Sequence, residues 1–137
     1  MNRSGLEKIC KEFSAAFNGV ISWKWDDYFG TVMAQFDTGD REKVRAILDQ
    51  YLDFAWDISN IEKAPDTVQA VNGSLGNLRE GQMLMSSDTQ QDACILCAWW
   101  PWGNGKSISI RIIPTCKRLT DSEMEEIKEV FKSWFGI

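Results

Sequence analysis

The chain contains no histidine. This absence removes the commonest general base, the Ser-His and Cys-His nucleophile pairs and most catalytic zinc sites. Two carboxylate pairs remain for acid-base chemistry, Asp26 with Asp27 and Asp37 with Asp40. Both pairs stand where turns and helix caps favour Asp, so a structural role is the simpler interpretation. We therefore expect a non-enzymatic protein that uses neither a cofactor nor a metal.

Long apolar runs are also missing. Nowhere do about eighteen apolar residues follow one another, which is the length that a membrane-spanning helix needs. Residues 1–8 lead directly into a charged amphipathic pattern, without the apolar stretch of a signal peptide. We therefore expect a cytoplasmic protein without a membrane partner. Cysteines stay reduced in that compartment, and the chain has four predicted core thiols: Cys10, Cys94, Cys97 and Cys116.

Cys94 and Cys97 have the spacing of a C-x-x-C motif, but they fall inside a predicted strand. A redox motif needs its first thiol at a helix N-terminus, where the thiol pKa is lowered. Residues three apart on a strand point to opposite faces of the sheet. The two sulfurs are therefore predicted neither to bond each other nor to share a metal.

Basic residues are outnumbered. Fifteen Lys and Arg against twenty Asp and Glu give a net charge of −5, which is the wrong sign for holding a phosphate backbone. Nucleic acid is therefore not an expected ligand, whereas a basic protein partner would be attracted. The length of 137 residues, 44% of them apolar, suits a single domain spanning 1–137.

Three segments carry apolar residues at helical spacing. The first follows a capping-box pattern at Ser4 and ends at Asn18-Gly19. The second follows the cap-forming stretch Asp37 to Asp40, and its end is open because residues 52–58 also fit a strand period. The third follows a second capping box at Thr120. These patterns predict three helices.

The segment from Ser59 to Gly81 is the least clear. Pro65 favours the start of a short helix, while Asn72-Gly73 favours a loop, and both interpretations stay open.

Alternation of apolar and polar residues predicts two hairpins and one further strand. The strands of the first hairpin meet at Asp26-Asp27, and those of the second meet at Gly103-Asn104-Gly105. The predicted strands are Val20 to Trp25, Tyr28 to Phe36, Gln82 to Met85, Cys94 to Trp100 and Ser107 to Ile113. The order α-ββ-α-(unclear)-β-ββ-α predicts an α+β fold with helices packed on an antiparallel sheet.

The second hairpin is unusually rich in tryptophan. If Asn104-Gly105 form a two-residue turn, Trp100 lies opposite Ser109 on the polar face and Trp99 joins the isoleucines. A three-residue loop would exchange the two rings. The outward ring and Trp102 would then present an aromatic surface, unless a helix covers that face and both rings are core. The candidate partner-binding residues are Trp99, Trp100, Trp102, Asn104, Asp26 and Asp27.

Pro101 bears on the same question. Proline cannot donate a hydrogen bond to a central ladder, so this residue favours a presented sheet edge.

The order of elements, the size and the charge are similar to those of small acidic type III secretion chaperones. That resemblance implies a protein that wraps a partner segment across helices and sheet, and it leaves a homodimer open. Small acidic immunity proteins that plug a bacterial toxin share the same profile. We therefore expect a protein-binding module, either an immunity-like inhibitor or a chaperone. The alternative is a small-ligand-binding domain or carboxylate-based enzyme with a Trp-lined pocket.

Overall fold

Residues 3–116 and 119–137, which the computed structural model describes, form four α-helices and one six-stranded antiparallel sheet. The elements are α1 (Arg3–Ala16), β1 (Lys24–Asp26), β2 (Thr31–Asp37), α2 (Arg41–Tyr51), β3 (Phe54–Trp56), α3 (Asp66–Ser74), β4 (Met83–Ser86), β5 (Ala93–Pro101), β6 (Ser107–Cys116) and α4 (Asp121–Trp134). The spatial order of the strands is β1-β2-β6-β5-β4-β3. The predicted α+β class is confirmed.

The main core lies on one face of the sheet, which we call the first face. Successive strand residues alternate between faces, and on β2, β5 and β6 one set of alternating residues packs against α1, α2 and α4. The fully buried large side chains there include Leu6, Phe13, Phe17, Leu48, Ile110, Ile112, Ile127 and Phe131. None of the described helices is long and apolar enough to span a bilayer.

The opposite side, which we call the second face, is covered unevenly. Val68 and Val71 of α3 form a smaller core with Leu84, Leu96 and Ala98 on β4 and β5. Toward β1 and β2 the same face carries Lys24, Gln35 and Asp37, which are exposed. The second face is therefore buried at the β4 side and open to solvent at the β2 side.

The C-terminal helix begins as its sequence predicts. The Thr120 side chain accepts a hydrogen bond from the Glu123 backbone N–H (3.1 Å), and the Glu123 carboxylate accepts one from the Thr120 N–H (3.1 Å). This reciprocal capping box satisfies two N–H groups that a helix start otherwise leaves unpaired. The cap predicted at Ser4 is wrong, because α1 already includes this residue. Asp40 occupies the N-cap position of α2, within the predicted stretch, but neither Asp37 nor Asp40 makes a side-chain cap hydrogen bond.

The first hairpin is shorter than predicted. Residues 20–23 are not strand; instead Val20, Ile21 and Trp23 pack against the main core from a loop. The ring centroid of Trp23 lies 5.4 Å from that of Phe17. These apolar side chains are partly buried although their backbone is irregular. Their alternation with polar residues therefore gives the same sequence pattern as a strand. Pattern alone does not separate the two cases.

The segment from Ser59 to Gly81 contains a helix rather than a loop at its centre. Pro65 immediately precedes α3, as predicted, and Gly73 lies within that helix, so the alternative loop through Asn72-Gly73 is wrong. The chain leaves the helix at Gly76 and Asn77, whose φ angles are 88° and 69°. The buried Asn72 side chain accepts a hydrogen bond from the Leu78 N–H (2.8 Å), which ties this exit to the helix.

Cys94 and Cys97 lie on opposite faces of β5, in different cores, as the strand spacing predicts. Cys10 is fully buried, and its burial raises the thiol pKa to about 12. Burial also raises the pKa of Cys97, with the Arg45 charge opposing it weakly. Burial raises the pKa of the Cys116 thiol too, but this side chain is only half-buried, so a reagent can reach it.

These thiols should therefore differ in reactivity. A raised pKa leaves less thiolate at a given pH, and the thiolate is the reactive form. We expect iodoacetamide at pH 8 to label Cys116 in the folded protein well before Cys10 and Cys97, which should react only after denaturation. Peptide mass spectrometry over a time course measures this order. Labelling of Cys97 at the rate of Cys116 would contradict the described burial.

Trp99 should be a stability residue, because its side chain is only 7% exposed in the main core. Replacement by Ala is expected to cost about 3–5 kcal/mol of unfolding free energy, the usual value for a deleted core aromatic. Trp102 is 50% exposed and is the matched control. Trp102→Ala should change the unfolding free energy by about 0.5 kcal/mol or less. Urea denaturation of the two variants gives both values, and equal losses would be inconsistent with this packing.

Candidate functional site

A largely but not fully buried ion pair joins the first hairpin to the centre of the sheet. The Nε of Arg111 on β6 donates to Oδ2 of Asp26 at 2.9 Å, and their side chains are only 14% and 12% exposed. Arg111 also donates to the Ser109 hydroxyl at 3.2 Å. The other Asp26 oxygen accepts the Tyr28 backbone N–H at 3.0 Å. Both charged groups are thus hydrogen-bonded, as buried charges need to be.

Two aromatic rings enclose the same guanidinium. Its central carbon lies 4.3 Å from the ring centroid of Trp100 and 5.5 Å from that of Phe29, within the range of cation-π attraction. The two rings meet at a centroid distance of 5.5 Å and an interplanar angle of 73°. We call these four residues, Asp26, Phe29, Trp100 and Arg111, the Arg111 cluster. It holds the turn between β1 and β2 against the second face.

That turn has a backbone shape that glycine favours. The Gly30 N–H donates to the Asp26 carbonyl at 2.9 Å, and Gly30 has a φ of 67°, in the left-handed region. The closed turn lifts Tyr28 away from the sheet and places Phe29 against Trp100. The predicted second strand therefore begins at Thr31 rather than at Tyr28.

Exposed aromatic rings border the Arg111 cluster. Tyr28 is 85% exposed, and its ring stacks edge-on against Phe29 at 4.6 Å. Trp102 is 50% exposed and follows Trp100 by two positions, just beyond the end of β5, where its backbone N–H donates to the Ser107 carbonyl at 2.9 Å. We call Tyr28, Phe29, Trp100 and Trp102 the aromatic face. It combines half-buried rings at its centre with accessible rings at its margin.

The hairpin register is the one that the two-residue turn predicts. Trp100 pairs with Ser109 and lies on the second face, whereas Trp99 pairs with Ile110 and is buried on the first. The Trp99 ring contacts Phe36 at a centroid distance of 5.7 Å. Of the two alternatives, Trp100 is thus the ring on the polar face, and Trp99 is not available to a partner.

The remaining candidate partner-binding residues lie in or beside turns. Asn104 is exposed, and its side-chain oxygen accepts the Lys106 N–H at 2.8 Å, which stabilises the hairpin turn. Asp27 is exposed beside Tyr28, while Asp26 belongs to the buried ion pair. The partner-binding role of all these residues stays a prediction.

Pro101 does not lie on an edge strand of the sheet. Strand β5 is central, between β6 and β4. Pro101 is tolerated there because β4 begins at Met83, opposite Trp99, so no β4 residue pairs with Pro101. Pro101 therefore lies where the hydrogen-bonded ladder between β4 and β5 has ended, not on an edge strand of the sheet.

Sequence reasoning did not identify Tyr28, Phe29 and Arg111 as site residues. Arg111 carried a usable signal, because a charged residue between Ile110 and Ile112 on a central strand needs a counter-charge. No such sequence signal marked Tyr28 and Phe29, since both residues fit the predicted strand.

No Trp-lined enclosed pocket is found among the described residues. Trp99 borders a depression of about 360 Å³ beside α2, lined also by Arg41, Glu42, Arg45, Ala46 and Asp49. Arg45 is already bonded to Asp49 at 2.9 Å and lies over the Trp99 ring at 6.0 Å. The Arg45–Asp49 pair thus occupies part of this depression, and Trp99 is the only tryptophan in its lining. The residues of 3–116 and 119–137 also contain no group of three His, Cys, Asp or Glu side chains arranged to hold a metal ion.

The ion pair should be essential to the cluster. Asp26→Ala leaves the Arg111 charge buried without its partner, which is expected to cost about 3–5 kcal/mol of unfolding free energy. The double variant Asp26→Ala with Arg111→Met removes both charges and should recover most of this loss. Chemical denaturation of the two single variants and the double variant gives the coupling free energy between Asp26 and Arg111. Additive losses would show that the pair does not interact as described.

Comparison with known proteins gives no further indication. No protein-family model, curated protein or solved structure matches this chain. The geometry of the Arg111 cluster and the aromatic face is therefore the basis on which a function is inferred.

Proposed function

We propose that the chain is a non-enzymatic protein-binding module whose partner docks on the aromatic face. The observation that carries this proposal is the exposure of Tyr28 (85%), whose ring contacts the half-buried Phe29, and of Trp102 (50%), two positions after the half-buried Trp100. Aromatic side chains dominate the energetics of protein interfaces, and the strongest anchors are rings surrounded by other apolar groups.

Rigidity of the aromatic face supports the same function. Phe29 and Trp100 are held by contacts with the Arg111 guanidinium, which is itself fixed by the Asp26 carboxylate. Side chains that are already ordered lose little conformational entropy when a partner binds. A partner would therefore find the centre of this surface formed in advance.

The charges around the aromatic face suit a basic partner. Asp37 is exposed on the second face, Asp27 is exposed in the turn beside Tyr28, and Asp26 compensates the Arg111 charge. Lys24 also lies there, so the surface is mixed, and the net charge of −5 sets the overall preference. Lys or Arg side chains of a partner can stack on exposed rings through cation-π attraction while pairing with the carboxylates.

This chemistry fits an acidic inhibitor of the immunity kind, which covers a basic surface of a toxin. It equally fits a secretion chaperone that holds a segment of its client. Both are cytoplasmic protein-binding roles in bacteria, and both depend on the same exposed rings. The charge preference favours a folded basic surface, so we place the inhibitor first.

The carboxylate-based enzyme is the weaker candidate. The Asp26 side chain is only 12% exposed and is bonded to Arg111, so a substrate has little access to it. Its neighbour Asp27 is exposed in the turn. The two side chains therefore do not form a shared acid-base pair.

Affinity capture with matched variants tests this function. The tagged wild-type chain is used as bait in a lysate of the native host, and the captured protein is identified by mass spectrometry. Trp102→Ala and Tyr28→Ala should each weaken its binding at least tenfold, since truncation of an interface anchor costs about 2 kcal/mol. Both variants should keep the wild-type melting temperature, because their rings are exposed.

Ile58→Ala is the control, because Ile58 is 53% exposed outside the aromatic face. Its affinity for the captured protein should equal that of the wild type. Retained binding by the Trp102 and Tyr28 variants, or equal weakening by the Ile58 variant, would exclude the aromatic face as the docking surface.

A further inference from the structure

The tip of the second hairpin carries an Asn-Gly pair, Asn104-Gly105. In such a pair the backbone nitrogen of the glycine can attack the side-chain carbonyl carbon of the asparagine, because glycine has no side chain to hinder the approach. The new C–N bond closes a succinimide ring, and the side-chain nitrogen leaves as ammonia with the proton that the backbone nitrogen loses. Water then opens the ring at either carbonyl, which gives aspartate or isoaspartate with a new negative charge.

The chain contains three Asn-Gly pairs, and the structure places them in different surroundings. Asn18-Gly19 lies in the exposed turn after α1, Asn72-Gly73 lies inside α3, and Asn104-Gly105 lies in the exposed hairpin turn. The dipeptide is the same in all three places. A difference in their reactivity would therefore come from the fold.

The hairpin pair is arranged for ring closure. Asn104 and Gly105 are both exposed, and no described atom beyond the adjacent residues lies within 4 Å of the position that a Gly105 Cβ would occupy. The side-chain oxygen of Asn104 accepts the Lys106 N–H at 2.8 Å, which folds the carboxamide back over the Gly105 peptide. Negative charge develops on this oxygen during the attack, so the Lys106 N–H is in place to stabilise it.

The pair in α3 is held in the opposite way. Asn72 is 8% exposed, and its side-chain oxygen accepts the Leu78 N–H at 2.8 Å. Gly73 lies within the helix, where backbone N–H groups donate to the carbonyl four residues earlier. Ring closure at Asn72 therefore requires the end of α3 to open, whereas the exposed hairpin tip needs only a local fluctuation.

The hairpin tip also touches the start of the segment that leads into α2. The Gly105 carbonyl accepts the Thr38 hydroxyl at 3.0 Å, and the Gly105 N–H donates to the Trp102 carbonyl at 3.1 Å. Isoaspartate inserts a methylene group into the main chain before Gly105, so it displaces both of these groups. Aspartate leaves the main chain unchanged and keeps the oxygen that accepts the Lys106 N–H.

We propose that Asn104 is a site of spontaneous deamidation, and that its conversion adds negative charge beside the aromatic face. The modified residue stands two positions from Trp102, at the margin of that surface. The aspartate product keeps the turn, and the isoaspartate product loosens the tip from Thr38. The reaction itself does not depend on the proposed function.

Incubation of the intact folded chain at pH 8, followed by peptide mass spectrometry over a time course, tests this site. Asn104 should convert at least about tenfold faster than Asn72, which corresponds to about 1.4 kcal/mol or more of opening free energy at α3. Asn18 should convert as well, because it is exposed. In guanidinium chloride the rates at Asn72 and Asn104 should become similar, since the fold no longer separates them.

Variants at Asn104 complete the test. Asn104→Gln should remove the conversion from this peptide and leave that of Asn18 unchanged, because the longer side chain closes the ring poorly. Asn104→Asp should keep the wild-type melting temperature, whereas chromatographically separated isoaspartate protein should melt lower. Conversion of Asn104 no faster than Asn72 in the folded chain, or a difference that persists in guanidinium chloride, would overturn the proposal. Isoaspartate protein that melts like Asn104→Asp would overturn the part that concerns Thr38.

Discussion

The ion pair between Asp26 and Arg111 is the interaction on which the open side of the sheet depends. A guanidinium on a central strand is costly to bury unless a carboxylate compensates it. Asp26 supplies that carboxylate from a strand of only three residues at the sheet edge. The pair therefore fixes the short β1 strand, the turn that follows it, and the position of Phe29 over Trp100.

The helices and this ion pair cover different parts of the sheet. On the first face, α1, α2 and α4 bury the large apolar residues and provide most of the hydrophobic stabilisation. On the second face, α3 covers only the β4 side, and the Arg111 cluster takes the place of a helix at the β2 side. A cluster of few side chains covers less surface than a helix, so Tyr28 and Trp102 remain exposed.

The sequence was informative where neighbouring residues decide the structure, as at the start of α4 and in the second hairpin. The capping box at Thr120 and the register that pairs Trp100 with Ser109 follow from neighbouring residues alone. The Arg111 cluster could not be predicted in this way, because Asp26 and Arg111 are 85 positions apart and meet only through β2. The strand predicted over residues 20–23 is wrong for a related reason. Tertiary contacts bury alternate residues of this loop, and the resulting alternation of apolar and polar residues is the same as that of a strand.

We expect a protein partner to contact the aromatic face and no other tryptophan-bearing surface. The chain has seven tryptophans distributed over both faces and the core, so labelling with 5-fluorotryptophan gives each a separate fluorine NMR resonance, assigned by single Trp→Phe variants. On addition of the captured partner, the resonances of Trp100 and Trp102 should shift, while those of the buried Trp99 and Trp134 stay in place. Unchanged Trp100 and Trp102 resonances in a saturated complex would contradict the account.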